Sequence, residues 1–200
     1  QPLARALRRD HTGARTGRSP NDKFFVRREP SAQKIWWGKV NQACEETTFE
    51  RVQGQILAYL QKRDLYVFDG FVGADPANRL AVRVVTPLAW QALFAHTLFR
   101  RPSAEELNAF TPDFTILAAG DLKLDPKESG LASEAFVGAD LENKVVLIAG
   151  TGYAGEIKKS LFTLMNYHLP HKGVMTMHCS ANVGADGDVA LFFGLSGTGK

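Results

Sequence analysis

The chain has 200 residues, of which 44% are hydrophobic, and its formal net charge is +3. This length can bury the core of one domain or somewhat more, and the mild charge suits an enzyme with anionic ligands without demanding a nucleic-acid partner. No stretch approaches the roughly 20 continuous apolar residues that span a membrane, and the widely spaced Cys44 and Cys179 are typical of reduced thiols in a cytoplasmic protein.

A turn that carries an arginine precedes the first predicted strand. Residues 16–23 read TGRSPNDK, and glycine, serine, proline and asparagine all favour a turn. The apolar residues Phe24–Val26 follow, so Arg18 would lie at the mouth of a strand, where its guanidinium could bind a carboxylate or phosphate bidentately. A purely structural arginine is an equally good interpretation of this spacing. The earlier arginines, from Arg5 to Arg15, are interpreted as a solvated charged face.

The middle of the chain alternates helical and strand patterns. One apolar stripe predicts a helix from Thr48 to about Arg63. Thr86-Pro87 is interpreted as the cap of a second helix that runs to about Phe99, and a capping box at Ser103 predicts a short third one. Apolar runs predict strands at residues 65–68, 80–85, 114–119, 134–137 and 144–149, with a hairpin-like link over residues 70–78 and a loop over residues 125–130.

A lysine-bearing helix follows the last of these strands. It is predicted from near Gly155 to just before Pro170. Lys158 and Lys159 lie in its first turns, where each cation costs about 0.3–1 kcal/mol against the helix dipole, and Glu156 offsets only part of this. The placement favours a site that attracts anions, or a lysine with a lowered pKa, and a solvated lysine pair stays an open alternative.

A further strand pattern places a histidine on a polar face. Over residues 174–181, a strand with period two would put Thr176, His178 and Ser180 on one face and apolar residues on the other. Polar side chains in an otherwise apolar sheet region favour a binding site, where His178 could bind a metal ion or contact phosphate. The tight turn Asp186–Asp188 would bring this strand near the next one.

The last segment has the pattern G-x-x-x-x-G-K of a phosphate-binding loop, directly after the apolar run Val189–Phe193. Its glycines let backbone N–H groups converge on one anion, and Lys200 would contact the outer phosphates. The loop consists of Gly194, Leu195, Ser196, Gly197, Thr198, Gly199 and Lys200. The hydroxyl residue and the helix that usually follow would come after Lys200, so we expect the front portion of a longer protein. Tyr153, Lys159, His178 and the loop would then converge.

Four segments in this order resemble ATP-dependent phosphoenolpyruvate carboxykinase: residues 16–23 (TGRSPNDK), 153–159 (YAGEIKK), 177–182 (MHCSAN) and 193–200 (FGLSGTGK). One departure is Gly152, because an acidic residue usually precedes the tyrosine in this family. The resemblance implies a mixed α/β fold (α+β), with an N-terminal substrate-binding domain over residues 1–173 that contains a mixed sheet. Residues 174–200 would be the first strands of a P-loop-containing mononucleotide-binding domain, with the active site in the cleft between the two domains.

The resemblance also implies a reaction and a role for each candidate residue. Oxaloacetate and ATP would give phosphoenolpyruvate, ADP and carbon dioxide, a step of gluconeogenesis that depends on Mn²⁺ or Mg²⁺. Arg18 would bind the substrate and help to place the departing carbon dioxide, and Tyr153 would contact the same ligand. Lys159 would bind substrate and metal, His178 would be a second metal ligand, and both would lie near the ATP γ-phosphate. A third ligand, an aspartate, would come from downstream. Lys200 and the rest of the loop would hold the nucleotide, so Arg18, Lys159, His178 and Lys200 are the candidate catalytic residues.

Two other functions stay open. A kinase that phosphorylates a small acid without decarboxylation would use the phosphate loop but has no need for Arg18 and Tyr153 together. A non-catalytic nucleotide-binding or nucleic-acid-binding module would use the early arginines, which are few and local, and would bind nucleic acid in a strongly salt-dependent way. We expect neither a nucleic-acid nor a membrane partner, and a monomer or small homo-oligomer.

Overall fold

The computed structural model describes residues 17–195 and 197–199. The predictions for the arginines up to Arg15, for Ser196 and for Lys200 therefore lie outside the described residues. Contacts divide the chain into two compact units, Gln1–Thr163 and Leu164–Lys200. The expected domain join near Gly173 stays a prediction, because this division reflects only contacts within the present chain.

A mixed sheet forms the centre of the first unit. Its strands are β1 (Lys23–Val26), β2 (Gln42–Cys44), β3 (Tyr66–Val72), β4 (Leu80–Thr86), β5 (Phe114–Ala119), β6 (Phe136–Asp140) and β7 (Val145–Ala149). Among the described residues they lie in the order β2-β1-β6-β7-β5-β4-β3. Strand β1 is parallel to β2 and β6, and β5 is parallel to β4 and β7, whereas the β3–β4 and β6–β7 pairs are antiparallel. The expected mixed α/β architecture with a mixed sheet is confirmed for this unit.

The described residues also form α-helices, of which the first packs on this sheet through an apolar stripe. They are α1 (Glu46–Leu60), α2 (Ala89–Leu98), α3 (Ala104–Asn108), α4 (Pro126–Ser129) and α5 (Gly155–His171). The stripe Phe49, Val52 and Ile56 of α1 is buried in one core with Phe136 of β6 and Leu147 of β7. The helical period predicted for this segment is therefore confirmed. No helix in the described part of the chain is long and apolar enough to cross a bilayer.

The predicted helix cap at Thr86-Pro87 is wrong. Thr86 is the last residue of β4, and α2 begins only at Ala89. The Thr86 hydroxyl accepts a hydrogen bond from the Leu88 N–H at 3.1 Å and so closes a turn at the end of the strand. A threonine followed by proline can form a strand-ending turn or a helix cap through the same kind of hydrogen bond, so the residue types alone do not separate the two.

The two short helices, α3 and α4, were not equally predictable from the sequence. The capping box at Ser103 is confirmed, because its hydroxyl accepts the Glu106 N–H and the Glu106 carboxylate accepts the Ser103 N–H. The loop expected over residues 125–130 instead contains α4. Asp125 caps this helix by accepting the Lys127 N–H at 2.8 Å, and a single helical turn is too short to leave a periodic apolar pattern.

Two further boundaries were predicted wrongly. Helix α5 includes Pro170 and ends one residue later, at His171, so the proline lies in the last turn and not beyond the helix. Strand β3 includes Gly70, which was expected to begin the link to β4. A Cβ at this position would overlap the Phe68 ring, so the glycine serves close packing within the strand and does not mark a turn.

The second unit contains an antiparallel hairpin of β8 (Cys179–Val183) and β9 (Val189–Phe193). The turn predicted at residues 186–188 is confirmed, since the Gly184 N–H donates to the Asp188 carbonyl at 2.8 Å and Gly187 has a φ of +83°. The strand predicted to begin at Val174 is wrong before Cys179. Cys179 pairs with Phe193, the last residue of β9, so the described hairpin offers no partner for residues 174–178.

The turn after β7 generates a stability prediction. Gly150 has a φ of +70°, and a Cβ there would overlap the carbonyl of Glu134. We expect Gly150→Ala to lower the free energy of unfolding by at least about 2 kcal/mol, measured by urea denaturation. Gly54→Ala is the control, because Gly54 lies within α1 with open space around it. This substitution should stabilise the protein by about 0.5–1 kcal/mol. Equal effects of the two changes would contradict the geometry of this turn.

The buried thiol of Cys44 generates a chemical prediction. Burial raises the pKa of Cys44 from 9.0 to about 11, and the charge of Glu45 acts in the same direction. At pH 8 the native protein should therefore alkylate at Cys44 about 100-fold more slowly than the unfolded protein, with a rate that keeps rising until the pH reaches about 11. Mass spectrometry after timed iodoacetamide treatment measures this, and equal native and unfolded rates would contradict it.

Candidate active site

The sheet brings three segments to one edge. Because β1 runs parallel to β6, and β6 antiparallel to β7, the amino ends of β1 and β6 lie beside the carboxyl ends of β5 and β7. The turn that leads into β1 carries Arg18. The turn that leaves β7 carries Tyr153 and continues into α5. Ligands of open α/β sheets bind beyond the carboxyl ends of the strands, so this edge is the candidate site.

Glu156, in the first turn of α5, holds the turn that carries Arg18 against this helix. Its carboxylate is fully buried, and its Oε1 accepts a hydrogen bond from the Ser19 N–H at 2.9 Å. Lys23 Nζ lies 2.8 Å from Oε2, close enough for an ion pair although not aligned as a hydrogen bond. An acidic side chain is also favourable at a helix N-terminus. Arg18, next to Ser19, is thereby held near the start of α5.

Lys159 lies one turn further along α5 in an unfavourable setting for a charged amine. Desolvation is the main cause that lowers the pKa of Lys159, followed by the positive charges of Arg18, Lys158 and Lys23, while Glu156 opposes the shift. The expected lowered pKa in this lysine pair is therefore found at Lys159. Lys158 is exposed to solvent, as the solvated alternative requires. Of the two lysines, Lys159 is the better source of a neutral amine.

A small cleft opens beside Lys159. Its volume is about 150 Å³. The lining is partly cationic and hydroxylic and partly apolar, and consists of Lys23, Phe24, Phe25, Val40, Asn41, Val137, Gly138, Ala139, Lys159, Ser160 and Thr163. Ser160 Oγ is buried and has no hydrogen-bond partner among the described residues. Two lysine side chains and a hydroxyl against apolar walls suit a small anion with a short carbon skeleton.

Tyr153 sits in a turn whose backbone is fixed from two sides. Its N–H donates to the Thr151 hydroxyl at 3.3 Å, and the Gln91 side-chain amide donates to the Gly152 carbonyl at 3.1 Å. The tyrosine ring folds over Gly155, where a Cβ would overlap it. The glycine that departs from the family pattern is thus a buried residue whose carbonyl is bound by Gln91.

The second unit carries the other predicted residues. His178 lies immediately before β8, so its predicted place on a strand face is wrong. The glycine loop directly follows β9, as predicted, and Gly197 and Gly199 have φ values of +84° and +78°. Within the loop, the Thr198 hydroxyl donates to the Leu195 carbonyl at 2.8 Å. The predicted roles of His178 and of the loop stay predictions.

The metal-binding potential of the chain rests on unusual donors. Within residues 17–195 and 197–199, no group of three or more His, Cys, Asp or Glu side chains is placed to hold a metal ion. A metal site that uses the described residues would therefore need a donor of another type, or donors from outside the described part of the chain. Lysine binds metal only as the neutral amine, and the lowered pKa of Lys159 favours that form.

Sequence reasoning missed three residues of the site. Glu156 was interpreted only as an acid near the helix dipole, Lys23 only as part of a turn, and Gln91 was not considered. The Ser19–Glu156 contact joins residues 137 positions apart, and the Gln91–Gly152 contact joins residues 61 positions apart. Local periodicity does not report contacts at such separations. The sequence signal for Glu156 was an acid in the first turn of a helix that also carries two lysines.

Fold and site together define an α/β protein that collects cationic side chains around a small-anion cleft and carries a glycine loop after a strand. A family model described as phosphoenolpyruvate carboxykinase matches residues 6–200. The chain is 56% identical over 190 residues to phosphoenolpyruvate carboxykinase (ATP) 1 of Moorella thermoacetica, covering 95% of this chain and 36% of that protein. Identity is 56% with the enzyme of Geobacillus kaustophilus and 53% with that of Bacillus subtilis, each covering 94% of this chain and 36% of the relative.

The chain therefore belongs to the phosphoenolpyruvate carboxykinase family. It spans about 36% of the length of the curated relatives it matches.

The buried carboxylate generates a prediction about stability. Glu156→Ala removes the carboxylate that accepts the Ser19 N–H and pairs with Lys23. We expect a loss of about 2–3 kcal/mol in the free energy of unfolding, at the lower end for a buried pair because Lys23 is partly hydrated. Glu156→Gln keeps an acceptor and should lose about 1 kcal/mol. Glu134→Gln removes an exposed ion pair to Lys123 and should change stability by less than about 0.5 kcal/mol. Equal values for Glu156→Ala and Glu134→Gln in urea denaturation would contradict this account.

Proposed function

We propose that the whole protein represented by this chain is an ATP-dependent phosphoenolpyruvate carboxykinase of the cytoplasm. It converts oxaloacetate and ATP to phosphoenolpyruvate, ADP and carbon dioxide, as in gluconeogenesis. The observation that supports this proposal most is the cluster of cations at the start of α5, where partial burial and the charges of Arg18, Lys158 and Lys23 lower the pKa of Lys159. A guanidinium can bind a carboxylate of the substrate bidentately, and an amine of lowered pKa can bind a metal ion in its neutral form.

Substrate binding falls to residues of the first unit. Arg18 forks a carboxylate of oxaloacetate through two parallel N–H donors and keeps the departing carbon dioxide in place. The Tyr153 hydroxyl donates a hydrogen bond to the same ligand. Lys159 and the hydroxyl of Ser160 line the cleft of about 150 Å³ that receives the short carbon skeleton. Because these groups are held on strand ends and a helix start, little ordering is needed when substrate binds.

Metal binding falls to Lys159 and His178, with a further ligand from outside this chain. Lys159 fits the role because desolvation and the neighbouring cations lower its pKa and favour the neutral amine. A divalent ion, Mn²⁺ with Mg²⁺, would supply Lewis-acid stabilisation of the negative charge that decarboxylation leaves on oxygen. Arg18 adds fixed positive charge near the same point, which stabilises that negative charge further.

Nucleotide binding falls to the loop Gly194–Lys200. Left-handed glycines at positions 197 and 199 free backbone N–H groups to turn toward phosphate oxygens. Lys200 adds a positive charge for the outer phosphates, and positioning together with charge neutralisation is what phosphoryl transfer mainly requires. The relatives' names specify ATP, so we propose ATP as the phosphoryl donor.

The test is an assay of the full-length protein in Mn²⁺ and Mg²⁺. Phosphoenolpyruvate formation from oxaloacetate is followed with ATP and, separately, with GTP, and carbon dioxide release is measured in parallel. We expect phosphoenolpyruvate to form with ATP, together with an equal molar amount of carbon dioxide. Product with GTP alone would keep the chemistry and overturn the choice of nucleotide. Phosphoryl transfer without carbon dioxide release would replace the proposal by a small-acid kinase.

Lys159 is the residue whose loss should matter most. Lys159→Ala should lower kcat by about 100-fold or more while circular dichroism and the unfolding midpoint stay near wild type, because the side chain serves the ligands and not the core. Lys62→Ala is the matched control, since Lys62 is an exposed lysine beyond the end of α1 and should leave kcat unchanged. Wild-type turnover in Lys159→Ala would overturn its assignment as a metal and substrate ligand.

A further inference from the structure

A buried polar chain outside the proposed ligands leads to the turn that carries Tyr153. Thr86, the last residue of β4, has its hydroxyl 2.6 Å from Gln91 Oε1. Gln91, in the first turn of α2, donates from Nε2 to the Gly152 carbonyl at 3.1 Å. Both side chains are 0% exposed. The chain thus connects the junction between β4 and α2 with the residue directly before Tyr153.

The polarity of these hydrogen bonds admits only one direction. The Gly152 carbonyl can only accept a hydrogen bond, so Gln91 Nε2 must face it. Gln91 Oε1, at the other end of the amide, then accepts the proton of the Thr86 hydroxyl, which itself accepts the Leu88 N–H at 3.1 Å. A flipped Gln91 amide would set its oxygen against the Gly152 carbonyl and its NH₂ against the hydroxyl of Thr86. The buried pair therefore selects one orientation of Gln91.

The turn that Gln91 binds is tightly enclosed. A Cβ at Gly120 would lie 2.9 Å from the Thr151 carbonyl and 3.0 Å from the Gly152 Cα, so the backbone of the turn packs directly on Gly120. The hydrogen bond from Gln91 draws the Gly152 carbonyl toward α2. Loss of that bond would leave a buried carbonyl unpaired, and the turn could regain a partner only by moving. Movement of Gly152 displaces Tyr153, the next residue.

We propose that Gln91, oriented by Thr86, is a positioning residue that sets the place of Tyr153 in the substrate site. The proposal rests on the proposed function in one respect, namely that Tyr153 contacts oxaloacetate. Gln91 acts on the turn after β7, whereas Glu156 holds the arginine turn to α5. Gln91 and Glu156 therefore position different parts of the candidate site, so substitutions of the two residues should affect substrate affinity independently.

The first experiment measures the turn itself and does not depend on activity. Amide hydrogen exchange over residues 150–157 is followed in the full-length protein by mass spectrometry. Exchange should become about 10-fold faster in Gln91→Leu and in Thr86→Val, because a buried hydrogen bond is lost in each. Thr86→Ser keeps the hydroxyl and should match wild type. Gln55→Leu is the control, since the buried Gln55 Oε1 has no partner among the described residues. Unchanged exchange in Gln91→Leu, or faster exchange in Thr86→Ser, would overturn the proposal.

The second experiment asks whether Gln91 acts through Tyr153. The KM for oxaloacetate is measured for wild type, Gln91→Leu, Tyr153→Phe and the double variant. Gln91→Leu should raise this KM by about 10-fold in the wild-type background and by less than about 2-fold in the Tyr153→Phe background, with the KM for ATP unchanged throughout. Equal effects in both backgrounds would overturn the proposal. If wild type forms no phosphoenolpyruvate, the proposed function fails, and the exchange experiment still decides whether Gln91 positions the turn.

Discussion

The site of this protein depends on one buried carboxylate. Glu156 lies at the start of α5 with no exposure to solvent, and it accepts the Ser19 N–H while its second oxygen lies against Lys23. A buried carboxylate is stable only with partners, and here the helix N-terminus and the turn before β1 supply them. The same contacts that stabilise the buried Glu156 carboxylate also hold the turn that carries Arg18 against α5, the helix that carries Lys159.

This arrangement explains how one edge of the sheet can concentrate positive charge. Arg18, Lys23 and Lys159 would repel one another in water, and their proximity contributes to the lowered pKa of Lys159. The negative charge of Glu156 offsets part of this repulsion. The net result is a candidate site with excess positive charge, in which Lys23 is paired with Glu156 and the pKa of Lys159 is lowered. Such a site is suited to a ligand that brings its own negative charges.

The sequence predicted the elements that have a local cause. Apolar runs located β5 and β7, a helical stripe located α1, and Ser103 with Glu106 gave a capping box. Errors arose where a distant partner decides the outcome. Residues 174–178 have the alternation of a strand, but their neighbour β9 ends at Phe193. Thr86 has the form of a helix cap, but its hydroxyl serves Gln91.

The candidate site was predictable to a similar extent. Short motifs pointed to Arg18, Tyr153 and Lys159, because each lies in a segment whose pattern is dense in turn and charge signals. The side chains that hold them in place could not be found in this way. Glu156 and Gln91 act across 137 and 61 residues of sequence, and only the folded sheet makes them neighbours.

The most direct test of this account is the affinity of the full-length protein for phosphoenolpyruvate, measured by calorimetry in wild type and in Glu156→Ala. Removing a negative charge from a site that binds an anion should strengthen binding if electrostatics alone mattered. If Glu156 instead holds the arginine turn and the lysine helix in place, Glu156→Ala should weaken binding by about 10-fold. Unchanged or tighter binding in Glu156→Ala would contradict the central role of this carboxylate.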